Sequence, residues 1–200
     1  MTTYDFDHVI DRRGTFSTQW DYIADRFGRN DILPFSISDT DFPVPVEVQD
    51  ALKERLTHPI YGYTRWNHAT YKDSIVRWFE RDGHTKINPD WIVYSPSVVF
   101  TIATLIRMKS DPGDGVAVFT PMYDAFYGTI EQNDRVLIPI RLAAADEGYV
   151  IDWDSLATVL AEKQTKIFLL TNPHNPTGYV FTKSELARIY NLCQAAHVFL

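Results

Sequence analysis

The amino-acid sequence predicts an α/β fold in which a mostly parallel sheet carries helices on its faces. The first observation behind this prediction is that, from Trp91 onward, short apolar runs alternate with longer helical patterns, as in doubly wound sheets. The second observation is composition. With 200 residues, 45% of them hydrophobic and 22% charged, the chain can bury a full core. Disorder is therefore not the expected state.

The N-terminal part is predicted to contain three helices. Apolar residues recur at helical spacing in each, and a proline or glycine marks one end of each. Between the first two helices, residues 31–41 are expected to be extended chain that enters a loop. In the third helix we expect four apolar side chains to face inward, namely Tyr71, Ile75, Trp78 and Phe79. The predicted helices span residues 16–27, 45–56 and 67–82.

The alternating region begins at residue 91. Short apolar runs indicate strands, and longer periodic segments indicate helices. The last predicted helix opens at Thr182, with Glu185 three residues later, which matches a capping box. The predicted strands are residues 91–94, 116–119, 135–142, 166–170 and 197–200, and the predicted helices are residues 97–109, 123–132, 154–163 and 183–196.

Two domain parts are expected. Residues 1–45 are interpreted as an N-terminal arm and a segment of a smaller α+β domain, and residues 46–200 as the first part of a large α/β domain. The apolar run at residues 197–200 resembles a buried strand cut in its first turns, which would leave the sheet unfinished. We therefore expect the chain to be the N-terminal portion of a longer protein.

Charge and cysteine content argue against several classes of function. The formal net charge is −7, and the basic residues are scattered among acids, which argues against a nucleic-acid partner. No apolar stretch reaches the roughly 18 residues of a membrane span, and the first residues lack the features of a signal peptide. Cys193 is the one cysteine and cannot form an internal disulfide. We expect a cytoplasmic protein with a small-molecule partner, and we predict no metal site.

The segment 171–178, with the sequence T-N-P-H-N-P-T-G, carries the strongest functional signal. It places two Asn-Pro turns directly after the apolar run at residues 166–170, which reads as a buried parallel strand. In open α/β sheets, ligands bind at the carboxyl ends of the strands. The segment therefore predicts a ligand site.

The N-P-H-N-P-T-G motif resembles the signature of aminotransferase-type enzymes of the large pyridoxal 5′-phosphate (PLP) family. The resemblance implies that Asn175 hydrogen-bonds the phenolic oxygen of the cofactor; the alternative is an Asx-turn residue that stabilises only its own loop. For Asn172 we prefer that alternative. His174 is interpreted as a structural or solvent-facing residue rather than as a general base.

Further segments resemble the MalY/PatB group of carbon–sulfur β-lyases, which belongs to the fold-type I PLP enzymes. These segments are residues 11–15, 19–22, 24–28, 37–42, 61–66, 94–99 and 120–127. The resemblance implies the large-domain fold of PLP-dependent aminotransferases and a homodimer. For the acidic pair Asp39 and Asp41, two interpretations stay open. The two residues form a solvated turn and act as helix caps, or they help to shape the substrate pocket.

The resemblance also implies contacts with the cofactor. Tyr63 would give its hydroxyl to the cofactor phosphate of the other subunit; the alternative is simple aromatic packing. Ser97, Val98 and Val99 would form a phosphate cup through their backbone groups at the start of a helix, and an ordinary N-cap role for Ser97 is compatible with this. Tyr123 would stack on the pyridine ring, or else pack in the core.

Three groups that such an enzyme needs are expected beyond Leu200. They are the Schiff-base lysine, the acid that pairs with the pyridine nitrogen, and the arginine that binds the substrate carboxylate. No catalytic residue is therefore assigned within the 200 residues, and the chain alone is expected to be inactive.

The resemblance implies that the full-length protein is a PLP-dependent carbon–sulfur β-lyase of amino-acid metabolism, which converts L-cystathionine or cysteine S-conjugates to thiol, pyruvate and ammonia. One alternative is a PLP-dependent aminotransferase. An alternative of another class is a non-catalytic regulatory or interaction protein with the same fold.

Overall fold

A computed structural model describes residues 4–146 and 148–200. The chain divides into two compact units, Met1–Thr64 and Arg65–Leu200. This division follows packing alone, and the domain parts expected at residues 1–45 and 46–200 stay a prediction. No helix among the described residues is long and apolar enough to cross a membrane.

The first helix of the first unit, α1, is shorter than predicted. It spans Ile23–Phe27 and ends at Gly28, whose φ of 70° is left-handed. The prediction that this helix starts at residue 16 is wrong, because the carboxylate of Asp21 accepts hydrogen bonds from nearby backbone N–H groups and holds that stretch in turns. The donors are the N–H groups of Gly14, Thr15 and Ser17, at 2.8, 3.1 and 3.0 Å.

The second helix of this unit, α2, forms as predicted. It spans Val46–Leu56 directly after Pro45. Proline suits this place because the first N–H groups of a helix have no intrahelical acceptor. Residues 31–41 form neither helix nor strand, which is compatible with the predicted extended chain that enters a loop.

The second unit begins with helix α3, at Ala69–Asp82. The expectation that Trp78 and Phe79 face inward is wrong for the described chain, because their side chains are 62% and 44% exposed. Tyr71 and Ile75 are half-buried. Helical periodicity therefore located the helix but not the extent of its covered face.

No strand forms at residues 91–94, where one was predicted. A 3₁₀ turn at Pro89–Trp91 leads into chain without a strand partner among the described residues. Trp91, Val93 and Tyr94 are all exposed. An apolar run becomes a strand only where a neighbouring strand supplies its hydrogen bonds.

In the described part of the second unit, the sheet contains four strands in the order β3-β2-β1-β4. β1 pairs in parallel with both β2 and β4, and β2 pairs antiparallel with β3. Phe199 adds a parallel bridge to Ile167 of β4. The mostly parallel sheet is thus confirmed, and the β2–β3 hairpin is an addition to it. The strands are β1 at Gly115–Thr120, β2 at Val136–Ala145, β3 at Gly148–Ile151 and β4 at Thr165–Leu169.

Helices cover both faces of this sheet. Val116 and Val118 of β1 pack in the cluster formed with α4 and α5, whereas Ala117 and Phe119 pack in the cluster formed with α6 and α7. These four side chains are at most 1% exposed, and their alternation is that of a strand buried on both faces. The helices are α4 at Val98–Lys109, α5 at Asp124–Glu131, α6 at Trp153–Ala161 and α7 at Lys183–Ala195.

Helix α7 begins with the predicted capping box. The N–H of Glu185 donates to Thr182 Oγ1 at 3.2 Å, and the N–H of Thr182 donates to the Glu185 carboxylate at 2.7 Å. The Tyr179 hydroxyl donates to the same carboxylate at 2.7 Å. The start of α7 is therefore tied to the loop that precedes it.

A buried arginine joins two chain segments at the amino-terminal edge of the sheet. Arg135 directly precedes β2; its Nε donates to Ser110 Oγ at 3.0 Å, and its guanidinium also donates to the carbonyls of Ser110 and Asn133. These bonds join the end of α4 to the turn before β2. The loops diverge at the opposite edge of the sheet, where the parallel strands have their carboxyl ends.

The strand order creates a topological switch point at that carboxyl edge. From β1 the chain passes through α5 to β2 on one side, and after the hairpin it returns through α6 to β4 on the other side of β1. The loops that leave β1 and β4 therefore separate. Open α/β sheets bind ligands in the crevice that forms at such a point.

Candidate active site

Three segments of the second unit reach the carboxyl edge of the sheet. β1 and β4 are parallel neighbours, so the loops that carry Tyr123 and Asn175 leave from the same edge. Helix α4 packs on the sheet through Ile106 and joins β1 through the short turn at residues 110–114. It therefore runs antiparallel to β1, and its N-terminus lies toward the same edge. Of the residues predicted to contact a cofactor, only Tyr63 belongs to the first unit.

The start of α4 offers unpaired backbone donors. Ser97 is the N-cap, and its Oγ accepts the N–H of Phe100 at 3.1 Å, which confirms its capping role. The N–H groups of Ser97, Val98 and Val99 have no acceptor in the part of the chain that the structure describes. Because the Val98 side chain is 71% exposed, this helix end is open to an anion, which the helix dipole favours.

Tyr123 stands at the start of α5 with a half-exposed ring. The ring is 40% exposed, whereas Phe126 beneath it is 5% exposed. The two rings meet edge to face, with centroids 5.3 Å apart. This contact orients the Tyr123 ring and leaves part of its surface free, which suits stacking on a planar ligand.

The two asparagines of the loop after β4 differ in their partners. Asn172 Oδ1 accepts the N–H of Phe181 at 3.2 Å, so Asn172 closes the loop from within, as preferred from the sequence. The Asn175 side chain is exposed and makes no hydrogen bond with any described residue. Its amide is therefore free to bind a ligand.

His174, between these asparagines, is a structural residue. Its side chain is 3% exposed, and Nδ1 lies 2.9 Å from Thr177 Oγ1. Burial lowers the pKa of His174, against the effect of a hydrogen bond to the backbone of Phe119. The structural interpretation is thus confirmed and the solvent-facing one is wrong. Sequence reasoning did not single out Thr177, because hydroxyls in turns ordinarily bond to their own backbone.

The predicted residues of the first unit have different surroundings. The Tyr63 side chain is fully exposed. Asp39 and Asp41 both form ion pairs with Arg12, and Trp20 Nε1 donates to Asp41 at 2.9 Å. The hydrogen bonds from Arg12 and Trp20 hold the pKa of Asp41 below its usual value. The acidic pair therefore joins segments within the first unit, and neither carboxylate acts as a helix cap.

The carboxyl edge of the second unit suits a planar, anionic, aromatic ligand. Backbone N–H groups at the start of α4 can hold an anion, the Tyr123 ring can cover an aromatic face, and the Asn175 amide can bind a ring oxygen. These are the groups that PLP presents as phosphate, pyridine and phenolic oxygen. No cluster of metal-ligating side chains occurs among residues 4–146 and 148–200.

Known proteins are similar to this chain in sequence. The family model for aminotransferase class I and II matches residues 30–200. Protein MalY of Escherichia coli strain K12 is 45% identical over 96% of this chain and 49% of its own length. Cystathionine beta-lyase PatB of Bacillus subtilis strain 168 is 38% identical over 94% of this chain and 48% of its own.

A solved structure extends the likeness to three dimensions. The crystal structure of cystalysin from Treponema denticola contains a PLP cofactor. The match covers 98% of this chain and 50% of the cystalysin chain, with a TM-score of 0.91 and 31% sequence identity. The chain thus spans about half the length of the relatives that it matches. By its family-model match and by its identity to these relatives, the chain belongs to the aminotransferase class I and II family.

Proposed function

We propose that the full-length protein is a PLP-dependent carbon–sulfur β-lyase. The PLP site in this proposal rests on three features with free binding capacity, which belong to segments that reach the carboxyl edge of the sheet. They are the free N–H groups at the start of α4, the half-exposed ring of Tyr123 and the free amide of Asn175. Each matches one part of PLP, and the solved relative with a TM-score of 0.91 contains that cofactor.

Each group has a distinct task in this proposal. The N–H groups of Ser97, Val98 and Val99 hold the phosphate. The Tyr123 ring covers one face of the pyridine and excludes water from it. The Asn175 amide donates to the phenolic oxygen and so helps to set the protonation state of the cofactor. When bound, PLP supplies an electron sink for the negative charge that develops at the substrate's α-carbon.

The proposed reaction breaks the carbon–sulfur bond of L-cystathionine or of a cysteine S-conjugate. The α-proton is removed, the sulfur leaves the β-carbon as a thiol, and the remaining three-carbon fragment takes up water to give pyruvate and ammonia. The lysine expected beyond Leu200 is the group proposed to move the α-proton. This substrate class is supported by PatB, a relative that is named for cystathionine cleavage.

An aminotransferase is the second candidate, because the matching family model is named for that activity. It needs the same three contacts with PLP, so these residues support both activities. Identity to the cystathionine β-lyase relative places the lyase first. A non-catalytic protein of the same fold, which could bind PLP through the same residues, is a weaker candidate, because the matching family model and PatB are both named for enzymes.

We further propose a homodimer in which Tyr63 contacts the cofactor phosphate bound by the other subunit. The Tyr63 hydroxyl makes no hydrogen bond with the described part of the chain. Large apolar side chains at Trp91, Val93 and Phe100 are 74%, 78% and 56% exposed, and exposed apolar groups of this kind often mark interfaces. Sedimentation equilibrium of the full-length protein should give the mass of two chains; the mass of one chain would contradict the dimer.

The test of the reaction uses the full-length protein with PLP and L-cystathionine, without any 2-oxo acid. We expect thiol, pyruvate and ammonia in equal amounts. A parallel sample with an amino acid and a 2-oxo acid measures amino-group exchange. Brisk exchange without pyruvate release from cystathionine would favour the aminotransferase, and PLP binding with neither reaction would favour the non-catalytic protein.

A further inference from the structure

His174 is a buried residue in an otherwise exposed stretch of loop. Its side chain is 3% exposed, whereas Pro173, Asn175 and Pro176 are exposed. None of the proposed cofactor contacts uses this imidazole. Because buried polar groups require hydrogen-bond partners, the partners of His174 reveal what it connects.

The backbone of His174 closes the loop on itself. Its N–H donates to the carbonyl of Tyr179 at 2.8 Å, and its own carbonyl accepts the N–H of Gly178 at 2.7 Å. Asn175 lies inside this closed segment and directly follows His174. The position of the Asn175 backbone therefore depends on that of His174.

The contact with Thr177 indicates which tautomer the His174 ring adopts. Nδ1 lies 2.9 Å from Thr177 Oγ1, and this oxygen already accepts the N–H of Tyr179 at 3.2 Å. The hydroxyl proton of Thr177 is therefore available to Nδ1. The ring proton then resides on Nε2, the nitrogen that is left to interact with the backbone of Phe119.

The contact with Phe119 joins the loop to the neighbouring strand. Pairing between β1 and β4 ends at Val118 and Leu169, one residue before Phe119. From there the two chain segments separate, and β1 leads on to Tyr123 four residues after Phe119. The imidazole thus connects the loop after β4 to the end of β1 at the place where backbone pairing stops.

The surroundings of the ring keep it neutral and away from solvent. The rings of Phe119 and Phe181 approach the imidazole edge to face, with centroid distances of 6.5 and 6.2 Å. Burial also lowers the pKa of His174. A ring enclosed in this way holds other groups in place and does not exchange protons with a substrate.

We propose that His174 is a positioning residue, which ties the Asn175 loop to the end of β1 and so sets the spacing between the Asn175 amide and the Tyr123 ring. This inference rests on the proposed PLP site, because both groups contact the same cofactor there.

The test compares three variants of the full-length protein in their dissociation constant for PLP and in the absorption spectrum of the bound cofactor. His174→Gln keeps a donor near the position of Nε2, His174→Asn keeps a polar atom only near Nδ1, and His174→Phe keeps the ring and its aromatic contacts. We expect the Phe and Asn variants, which both lose the donor at Nε2, to bind PLP at least about tenfold more weakly, as for the loss of one or two polar contacts. Both should shift the spectrum in the direction of Asn175→Ala. The Gln variant, which loses only the contact of Nδ1 with Thr177, should show no more than the smaller shift expected of Thr177→Val.

Two further variants keep the test decisive. Ile189→Val lies in the same core cluster and should lower thermal stability with no change in PLP affinity or spectrum. Thr177→Val removes the hydroxyl partner of His174 with little change of shape, and it replaces His174→Phe in the test if that variant does not fold. It should change the PLP affinity and the spectrum in the same direction, but by less.

Two results would overturn the inference. The first result is that His174→Phe, or Thr177→Val in its place, has the PLP affinity and the spectrum of the wild type. In the same assays, Asn175→Ala and Tyr123→Ala alter both properties. The second is a loss of affinity in the Gln variant as large as that in the Phe variant. If Asn175→Ala and Tyr123→Ala are themselves silent, the proposed cofactor site fails as well.

Discussion

Val118 and Leu169 face each other on the parallel strands β1 and β4 and form the last pair before the two strands separate. Beyond this pair, the chain from β1 reaches Tyr123 and the chain from β4 reaches Asn175. The separation follows from the strand order, because the next strand along the chain, β2, lies on one side of β1, and β4 lies on the other. The proposed cofactor site therefore depends on topology as much as on the residues that line it.

Replacement of Tyr123 tests the stacking contact. The ring is 40% exposed and is oriented by Phe126, so Tyr123→Ala should weaken PLP binding about tenfold through the loss of an aromatic pair. Tyr123→Phe keeps the ring and should bind PLP almost as the wild type does. Fluorescence titration of the full-length apoprotein measures both. Equal affinity in the Ala and Phe variants would argue against stacking.

Replacement of the loop asparagines should separate ligand contact from loop stability. Asn175 has no partner among the described residues, so Asn175→Ala should alter the visible spectrum of bound PLP and leave the stability of the apoprotein unchanged. Asn172→Ala leaves the N–H of Phe181 without its acceptor and should cost about 1–3 kcal/mol of unfolding free energy. Absorption spectra and urea unfolding provide the two measurements. The reverse pattern would exchange the roles assigned to these residues.

The capping box at the start of α7 predicts a pH dependence of stability. Burial of Glu185 opposes its charge, but hydrogen bonds from Tyr179 and Thr182 outweigh burial and hold its pKa below the usual value of 4.5. A carboxyl group with a lowered folded pKa contributes stability that is present above its unfolded pKa. That stability is lost as the pH falls through the folded pKa.

Glu185→Gln should therefore be less stable than the wild type at neutral pH, and the difference should narrow below pH 4.5. Thr182→Ala should lower the free energy of unfolding by about 1 kcal/mol, because the helix loses its cap. The control Lys183→Ala, at an exposed neighbouring position, should have little effect. Urea unfolding across this pH range measures the differences. If the difference in unfolding free energy between the wild type and Glu185→Gln became larger at low pH, that result would be inconsistent with a lowered pKa of Glu185.

Cys193 should be chemically inert in the folded protein. Its side chain is fully buried, and burial raises the pKa of the thiol to about 11, so almost no thiolate exists at neutral pH. Peptide mapping after iodoacetamide treatment should find Cys193 unmodified in the native protein and modified in concentrated urea. Rapid native labelling would show that α7 opens more readily than its packing indicates.

The elements that the sequence predicts well are those specified by short-range contacts. Helix α4 was expected at residues 97–109 and is found at Val98–Lys109, with Ser97 as its cap. The start of α7 follows from Thr182 and Glu185, three residues apart. In both cases the side chains that define the helix start lie within one turn of it.

The features that the sequence does not predict depend on distant parts of the chain. Among the described residues, strand β3 has four residues and pairs only with β2, and residues 91–94 have no strand partner. The helix expected from residue 16 is displaced by turns around Asp21. The burial of His174 depends on Phe119, which lies far away in sequence. No local pattern around His174 reveals that contact.

The most direct test of the cofactor site is the affinity of Val98→Pro for PLP and for pyridoxal, which lacks the phosphate. Val98 is the first residue of α4, where proline removes one N–H and preserves the helix. Ser97 has ψ of 161°, which a following proline accepts. The matched control Val98→Ala keeps the N–H group.

Fluorescence titrations of the full-length apoprotein should show that Val98→Pro weakens PLP binding by about 10- to 100-fold, as expected for one hydrogen bond to a charged group. Binding of pyridoxal should stay unchanged, and Val98→Ala should bind both ligands as the wild type does. If Val98→Pro binds PLP as tightly as Val98→Ala, the phosphate does not lie at the start of α4, and the central claim is wrong.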